Sequence, residues 1–280
     1  MSQSYSDVVQ TARDYYNSED ADNFYLHIWG GEDIHIGLYE SEREDIATAS
    51  RRTVERLADQ LPEIGTDVSI LDIGSGYGGA ARYLAQRFGC KVTALNLSEK
   101  ENTRNRELTA EAGLSGLIDV VDGSFEEIPL ADASVDIVWS QDAILHSGRR
   151  GQVIAEVARV LKPGGHFVFT DPMESGNCDR ADLEAVLARI HLETLGSPKF
   201  YEQTARANGL EFVAWEDKTP QLIRHYSRVA EELSAQRGRL AGKVSEAYID
   251  RMLVGLSNWV KAGQAGCLAW GFLHFKKPVT

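Results

Sequence analysis

From residue 50 onward the chain alternates between two hydrophobic rhythms. Val54, Leu57, Ala58 and Leu61 recur at helical spacing, and the apolar run 68-VSILDIG-74 then predicts a buried strand. Helical character returns over 78–88, and 91-KVTALNL-97 predicts the next strand. A polar, helix-forming stretch spans 99–112, followed by strands at 118-IDVV-121 and 135–140. Val153, Ile154, Val157 and Leu161 mark the apolar face of a helix over 152–161. The run 162-KPGG-165 is expected to break the chain before a fifth strand, 166-HFVFTD-171. Strands joined by helices predict a parallel, doubly wound α/β sheet, and such sheets bind ligands beyond the carboxyl ends of their strands.

After residue 200 the rhythm changes. A helix at 200–208 and a strand at 211-EFVAWED-217 precede a long, mostly helical segment, 220–262, where Ile249, Leu253, Leu256 and Val260 have helical spacing. The chain closes on the strand 268-LAWGFLHF-275. A helical insertion ahead of a last strand predicts a cap over the ligand site. So does the N-terminal segment, which carries Tyr5, Tyr15, Tyr16, Phe24, Tyr25, Trp29 and Tyr39. The expected organisation is an N-terminal cap at 1–45, a core at 46–218, a helical cap insertion at 219–266 and a final core strand at 267–280.

Composition narrows the function classes. A formal net charge of −13 repels nucleic acid and anionic membrane surfaces, so neither is an expected partner. The same acidity suits a protein that stays soluble in high salt. No apolar run approaches the roughly 20 residues of a membrane helix, and the start MSQSYSDVVQTARDYY lacks the basic-then-apolar secretory pattern. Cys90, Cys178 and Cys267 are far apart and share no metal-ligand spacing, so they are read as reduced thiols in a cytoplasmic protein without a metal. Oligomeric state leaves no mark in the pattern.

The strongest local signal is 72-DIGSGYGG-79. Glycines at a strand end permit a tight turn and close approach of a ligand to the main chain. Gly74, Gly76 and Gly79 satisfy the dinucleotide spacing G-x-G-x-x-G, which keeps a nicotinamide oxidoreductase open. Gly74, Gly76 and Gly78, led by Asp72, equally satisfy D-x-G-x-G-x-G, the loop of S-adenosylmethionine methyltransferases. Context favours the second. Some 70 residues precede the loop, Asn96 ends the second strand where a ribose partner belongs, and 122-DGSFEEIP-129 follows the third strand where methyltransferases hold adenine. Past the fourth strand, 139-WSQDAILHS-147 sets Gln141, Asp142 and His146 at a sheet end.

These runs, with VARVLKPGGHFVFTDP, resemble the class I S-adenosylmethionine-dependent methyltransferases. More narrowly, 21-ADNFYLHIWGGEDIHIGLY-39, 137-IVWSQDAILHSG-148, 187-LARIHLETLGSPKFY-201, 225-HYSRV-229 and 266-GCLAWGFLHFKKP-278 resemble the sarcosine/dimethylglycine N-methyltransferases, which make the osmolyte glycine betaine. The resemblance implies a Rossmann-like, mostly parallel sheet with an antiparallel last strand and helical caps. It implies S-adenosylmethionine as methyl donor and a small amine as acceptor. It sets Asp72, Gly74, Gly76, Asn96, Ser124, Phe125 and Gln141 along the cofactor. Similarity to the phosphobase methyltransferases, the alternative within the class, implies Asp142, His146 and a cap tyrosine, here Tyr16, at the acceptor site. Those enzymes carry Arg where Gln141 stands, a departure that fits an acceptor without phosphate.

The chemistry then names its own requirements. The acceptor amine must lose its proton before it attacks, and an unperturbed histidine titrates at about 6.5, so His146 is the candidate base with Asp142 orienting it. At i, i+4 the two share a face if they share a helical turn. The product is a quaternary ammonium, which aromatic faces stabilise, and Tyr16, Tyr25, Trp29, Trp139 and Tyr201 are the cage candidates. An acceptor carboxylate needs a cation. Arg189, Lys199 and Arg224 lie in the cap-forming regions, with His225 and Tyr226 adjacent to Arg224.

Overall fold

Strands β1 (Ser69–Ile73), β2 (Lys91–Asn96), β3 (Ile118–Asp122), β4 (Val135–Gln141) and β5 (Leu161–Thr170) lie parallel in the order β3-β2-β1-β4-β5. The computed structural model describes residues 7–190 and 192–279. Helices α4 (Gly79–Phe88), α5 (Glu99–Glu111) and α6 (Arg150–Val160) make the crossovers. Beyond β5 the sheet is completed by two strands from the C-terminal part, in the order β5-β9-β7. Strand β7 is Glu211–Asp217, and β9 (Gly271–Lys276) runs antiparallel to both of its neighbours. The expected α/β architecture with one reversed strand is the architecture found.

The order of strands reverses at β1, whose neighbours are β2 and β4. Register puts Asp72 of β1 beside Trp139 of β4, so the glycine turn after β1 and the segment after β4 leave the sheet side by side. That juxtaposition locates the site. One apolar layer, with Val54, Leu57 and Leu84, covers one sheet face, and a second, with Val153, Val157 and Phe167, covers the other. A third cluster joins α2 (Glu19–Ile28) to α9 (Thr219–Gln236) and α10 (Glu246–Gln264) through Phe24, Tyr25, Trp29, Val229, Leu233 and Met252. Tyr77 of the glycine turn enters that cluster, and its hydroxyl donates to the Asp22 carboxylate at 2.6 Å.

Three local expectations are corrected. The run 162-KPGG-165 does not end the secondary structure; it lies inside β5. Between Val135↔Leu161 and Ile137↔His166 the register slips, so the extra residues form a bulge rather than a break. Gly165 is required there because a Cβ would stand 2.8 Å from the Asp136 carbonyl. The closing strand is split at Trp270. Leu268–Ala269 (β8) pairs with Met173–Glu174 (β6) in a separate two-stranded sheet, while β9 joins the main one. Gly271 makes the change of sheet possible, since a Cβ would lie 2.0 Å from the Glu216 carbonyl oxygen.

The third correction concerns the thiols. Cys178 and Cys267 form a disulfide across 89 residues of sequence, and Cys90 alone is free and buried. Strand pairing brings the two together: Glu174 lies opposite Leu268, and the Ser175 N–H donates to the Cys267 carbonyl at 2.9 Å. Linear spacing carries no trace of this pairing. A cross-link across so long a loop is expected to contribute about 2–4 kcal/mol. Cys178→Ser is therefore expected to lower the thermal midpoint, and dithiothreitol is expected to lower the wild-type midpoint to match. Identical midpoints for variant, reduced and untreated protein would remove the bond from the stability of the fold.

Candidate functional site

The glycine turn is shaped by close approach. Gly74, Gly76 and Gly78 all have positive φ, at 75°, 51° and 75°. A Cβ on Gly74 would sit 2.3 Å from that of Ala143, and one on Gly78 would sit 2.1 Å from Asn105 Oδ1. The turn is anchored by its own backbone, the Gly74 N–H donating to the Leu95 carbonyl at 2.8 Å. Beside it lies a narrow cavity of about 80 Å³, and Gly74, Gly76, Asn96, Ser124, Phe125 and Gln141 line it together. Helix α1 (Asp7–Tyr16) supplies the outer wall through Ala12, Arg13 and Tyr16.

A carboxylate that sequence reasoning missed belongs to this cavity. Glu101, in the first turn of α5, is buried, and its Oε2 accepts from Asn96 Nδ2 at 2.8 Å while Oε1 has no partner among the described residues. Burial pushes its pKa up to about 7. A lone acid in a polar helical stretch gives no sequence signal, and only the turn at Ser98, which caps α5, aims it inward.

Asp72 opens into an adjoining cleft with Asp33, His35, Ser75 and Gln141. Asp33 Oδ1, His35 Nε2, Asp72 Oδ2, Ser75 Oγ and Gln141 Nε2 are all buried without hydrogen-bond partners among the described residues. His35 Nδ1 faces the Ile36 carbonyl at 3.3 Å and must donate there, which leaves Nε2 as a bare lone pair. Burial lowers the His35 pKa to about 4, so the ring is neutral. Burial, then the nearby Asp33, pushes Asp72 up to about 8; burial pushes Asp33 to about 6. Three converging acceptors and one amide donor make a cradle for an ammonium group next to a carboxylate.

Past β4 the backbone turns at Asp142, a non-glycine residue with φ 52°. Its carboxylate accepts from Ile36 N–H (2.7 Å), Thr170 Oγ1 (2.8 Å) and Trp270 Nε1 (2.8 Å). A short 3₁₀ turn, Ile144–His146, follows, so Asp142 and His146 do not share an α-helical turn. Asp171 holds that turn by accepting from the Leu145 N–H at 2.9 Å, and Arg150 donates to the Leu145 carbonyl at 3.0 Å. His146 Nε2 lies 2.9 Å from Tyr16 Oη, with the two rings edge to face.

Tyr16, Asp142 and His146 border both the narrow cavity and a second, much larger one of about 840 Å³. The larger cavity is walled by aromatics: Tyr15, Tyr25, Trp29, Tyr226, Tyr248 and Trp259. Tyr15 Oη bonds Tyr248 Oη at 2.9 Å, and Tyr16 stacks on Tyr25 with centroids 5.9 Å apart. Burial holds the Tyr16 and Tyr25 phenols well above their ordinary pKa, so both rings are uncharged. Two cage candidates lie elsewhere. Tyr201 is fully buried in the second apolar layer and donates to Asp171 at 2.6 Å. Trp139 is buried under the sheet end, where its Nε1 donates to Gln141 Oε1 at 3.0 Å. Lys199 is exposed on α8 (Pro198–Ala207), and Arg224 is half-buried on α9; neither lines the large cavity. The Arg189 side chain and Tyr5 lie outside what the structure describes.

The chain is similar to known proteins over nearly its whole length. The family described as "Methyltransferase domain" matches residues 71–169. A sarcosine/dimethylglycine N-methyltransferase of Halorhodospira halochloris is 55% identical over 96% of each chain. A glycine/sarcosine/dimethylglycine N-methyltransferase of Actinopolyspora halophila is 56% identical over 96% of this chain and 48% of its own length. The crystal structure from Galdieria sulphuraria assigned as a sarcosine dimethylglycine methyltransferase superposes with a TM-score of 0.90, at 41% identity over 95% of this chain and all of that one.

Asp142 offers a direct check on the geometry. Glycine suits its positive φ, so Asp142→Gly removes the carboxylate without adding backbone strain. Three buried donors would lose their acceptor, each costing about 1–3 kcal/mol. Denaturant titration is expected to show a loss of about 3 kcal/mol or more; a variant as stable as wild type would mean that those bonds carry nothing.

Proposed function

The chain belongs to the sarcosine/dimethylglycine N-methyltransferases, and from that premise we propose that it methylates dimethylglycine, and sarcosine before it, to give glycine betaine. The observation that carries this reading is the meeting of two cavities at Tyr16, Asp142 and His146. One is bounded by the glycine turn, Asn96, Ser124 and Phe125, groups that suit S-adenosylmethionine. The other is aromatic, and at position 141, on the narrow cavity, glutamine stands where the phosphobase enzymes carry arginine. The nicotinamide alternative has no support among the relatives.

The cofactor has matching partners in the chain. Asn96 and the spare oxygen of Glu101 suit ribose hydroxyls, Ser124 and Phe125 suit the adenine, and the cleft at Asp33, His35, Asp72 and Gln141 suits the methionyl ammonium and carboxylate. When bound, the sulfonium supplies an electrophilic methyl group for in-line attack by the acceptor nitrogen. The protein's share is mostly positioning. His146 takes the amine proton, Tyr16 holds the imidazole through their 2.9 Å contact, and Asp171 with Arg150 fixes the turn beneath it. Asp142 acts by pinning Ile36, Thr170 and Trp270 around the junction. Tyr25, Trp29 and their neighbours face a cation that cannot donate hydrogen bonds, which is the case that aromatic faces serve.

Segments 1–45 and 219–266 act as one cap, since they share an apolar cluster. Among the described residues no helix is long and apolar enough to cross a membrane. The demand for S-adenosylmethionine as a stoichiometric reagent favours the cytoplasm as the place of action, and the charge of −13 favours a small-molecule acceptor over a nucleic acid.

Mass spectrometry of methyl transfer to glycine, sarcosine and dimethylglycine in parallel is expected to show betaine from dimethylglycine, with His146→Ala lowering turnover about 10²- to 10⁴-fold. No transfer to any of the three, with cofactor still bound, would move the acceptor elsewhere. The cleft adds a proton linkage. With its pKa near 8, Asp72 is mostly protonated at pH 7 and must ionise to pair with the cofactor's ammonium. Binding should thus release protons at pH 7, and affinity should rise with pH up to about 8. Calorimetry in buffers of different ionisation enthalpy reads this directly, and zero net release would sink the pairing.

A further inference from the structure

We propose that Arg251, on α10, is the group that recognises the acceptor's carboxylate, an assignment that rests on the amino-acid reading above. The problem is electrostatic. The protein's field is negative, and the charged groups lining the large cavity include Glu19, Asp20 and Asp142. A carboxylate enters such a space only against a local cation, and among the described residues Arg251 is the one lysine or arginine in its lining.

The state of Asp20, Asp142 and Arg251 supports the division of labour. Both Asp20 oxygens are occupied by the Ser245 N–H and hydroxyl, at 2.7 and 2.6 Å. Those of Asp142 are occupied by Ile36, Thr170 and Trp270. Arg251 has no ion-pair partner among the described residues, whereas Arg237 is committed to Glu246 and to Asp250 at 2.8 Å. What Arg251 does contact is the Tyr248 ring, one turn earlier, with its guanidinium 5.9 Å from the ring centroid. An aromatic face steadies the planar guanidinium without neutralising it, which leaves its fork of donors available to a carboxylate. Tyr248 in turn is bonded to Tyr15, whose ring packs edge to face on Tyr16 at 5.0 Å, and Tyr16 touches His146. The cation and the proton acceptor thus stand on one continuous aromatic wall. Arg251 is exposed and still lines the cavity, so it stands at the opening, and its long side chain follows the carboxylate inward.

The test compares dimethylglycine with its neutral amide, N,N-dimethylglycinamide, on wild type, Arg251→Gln and Arg251→Lys. For Arg251→Gln, KM for dimethylglycine is expected to rise roughly 10- to 100-fold with kcat little changed. KM for the amide and affinity for S-adenosylmethionine should not move, and Arg251→Lys should recover part of the loss. An unchanged KM for dimethylglycine, or equal losses for acid and amide, would overturn the assignment. Calorimetric binding of dimethylglycine to the S-adenosylhomocysteine complex separates the two claims. Arg251-dependent binding without turnover would refute the reaction and uphold the carboxylate site. Wild-type binding with no preference for acid over amide would refute the site whether or not methyl transfer occurs.

Discussion

A single buried carboxylate ties the N-terminal segment to the end of the sheet. Asp142 gathers a backbone N–H from the N-terminal segment, a hydroxyl from the end of β5 and an indole from the break between β8 and β9, residues 36, 170 and 270. Buried donors of this kind are costly when unmet, so the three segments have one low-energy arrangement. The backbone accepts φ 52° at an aspartate to deliver that carboxylate. The glycine turn follows from the same geometry, because Ala143, next in sequence, occupies the space a side chain at Gly74 would need.

Electrostatics then divide the site by function rather than by charge count. The cleft near Asp72 gathers the acceptors of Asp33, His35 and Asp72. The aromatic chamber differs, with the Tyr16 and Tyr25 phenols kept neutral by burial. A reaction that moves positive charge from one chamber toward the other meets hydrogen-bonding acceptors on one side and polarisable faces on the other.

Much of this was legible because it depends on local rules. Strand ends, the positive-φ glycines and the cluster in 139–147 are set by period, turn chemistry and their order along the chain. Residues whose roles depend on crossing the molecule were not legible. Glu101 reads as one more acid in a polar helix, His35 as one histidine in an aromatic segment, and Trp270 as part of an unbroken strand. Tyr201 and Trp139 show the converse limit. An aromatic residue beside a strand end has the same sequence signature whether it faces a cavity or supports, from beneath, a residue that does; here each spends its polar atom on a neighbour, Asp171 and Gln141. The KPGG run failed for a related reason, since a bulge within a strand and a break between strands use the same residues.

The bond between Cys178 and Cys267 turns everything between them into a closed ring: α7 (Arg180–Arg189), α8, β7, α9 and α10. A ring has a property that a linear chain lacks. One backbone cut in the exposed turn 241–243, between α9 and α10, leaves a single covalent molecule with two new ends. The helices on either side of the nick stay at high effective concentration and keep their shared interface. The cap is thereby tolerant of proteolytic scission in that exposed turn for as long as the disulfide stays oxidised.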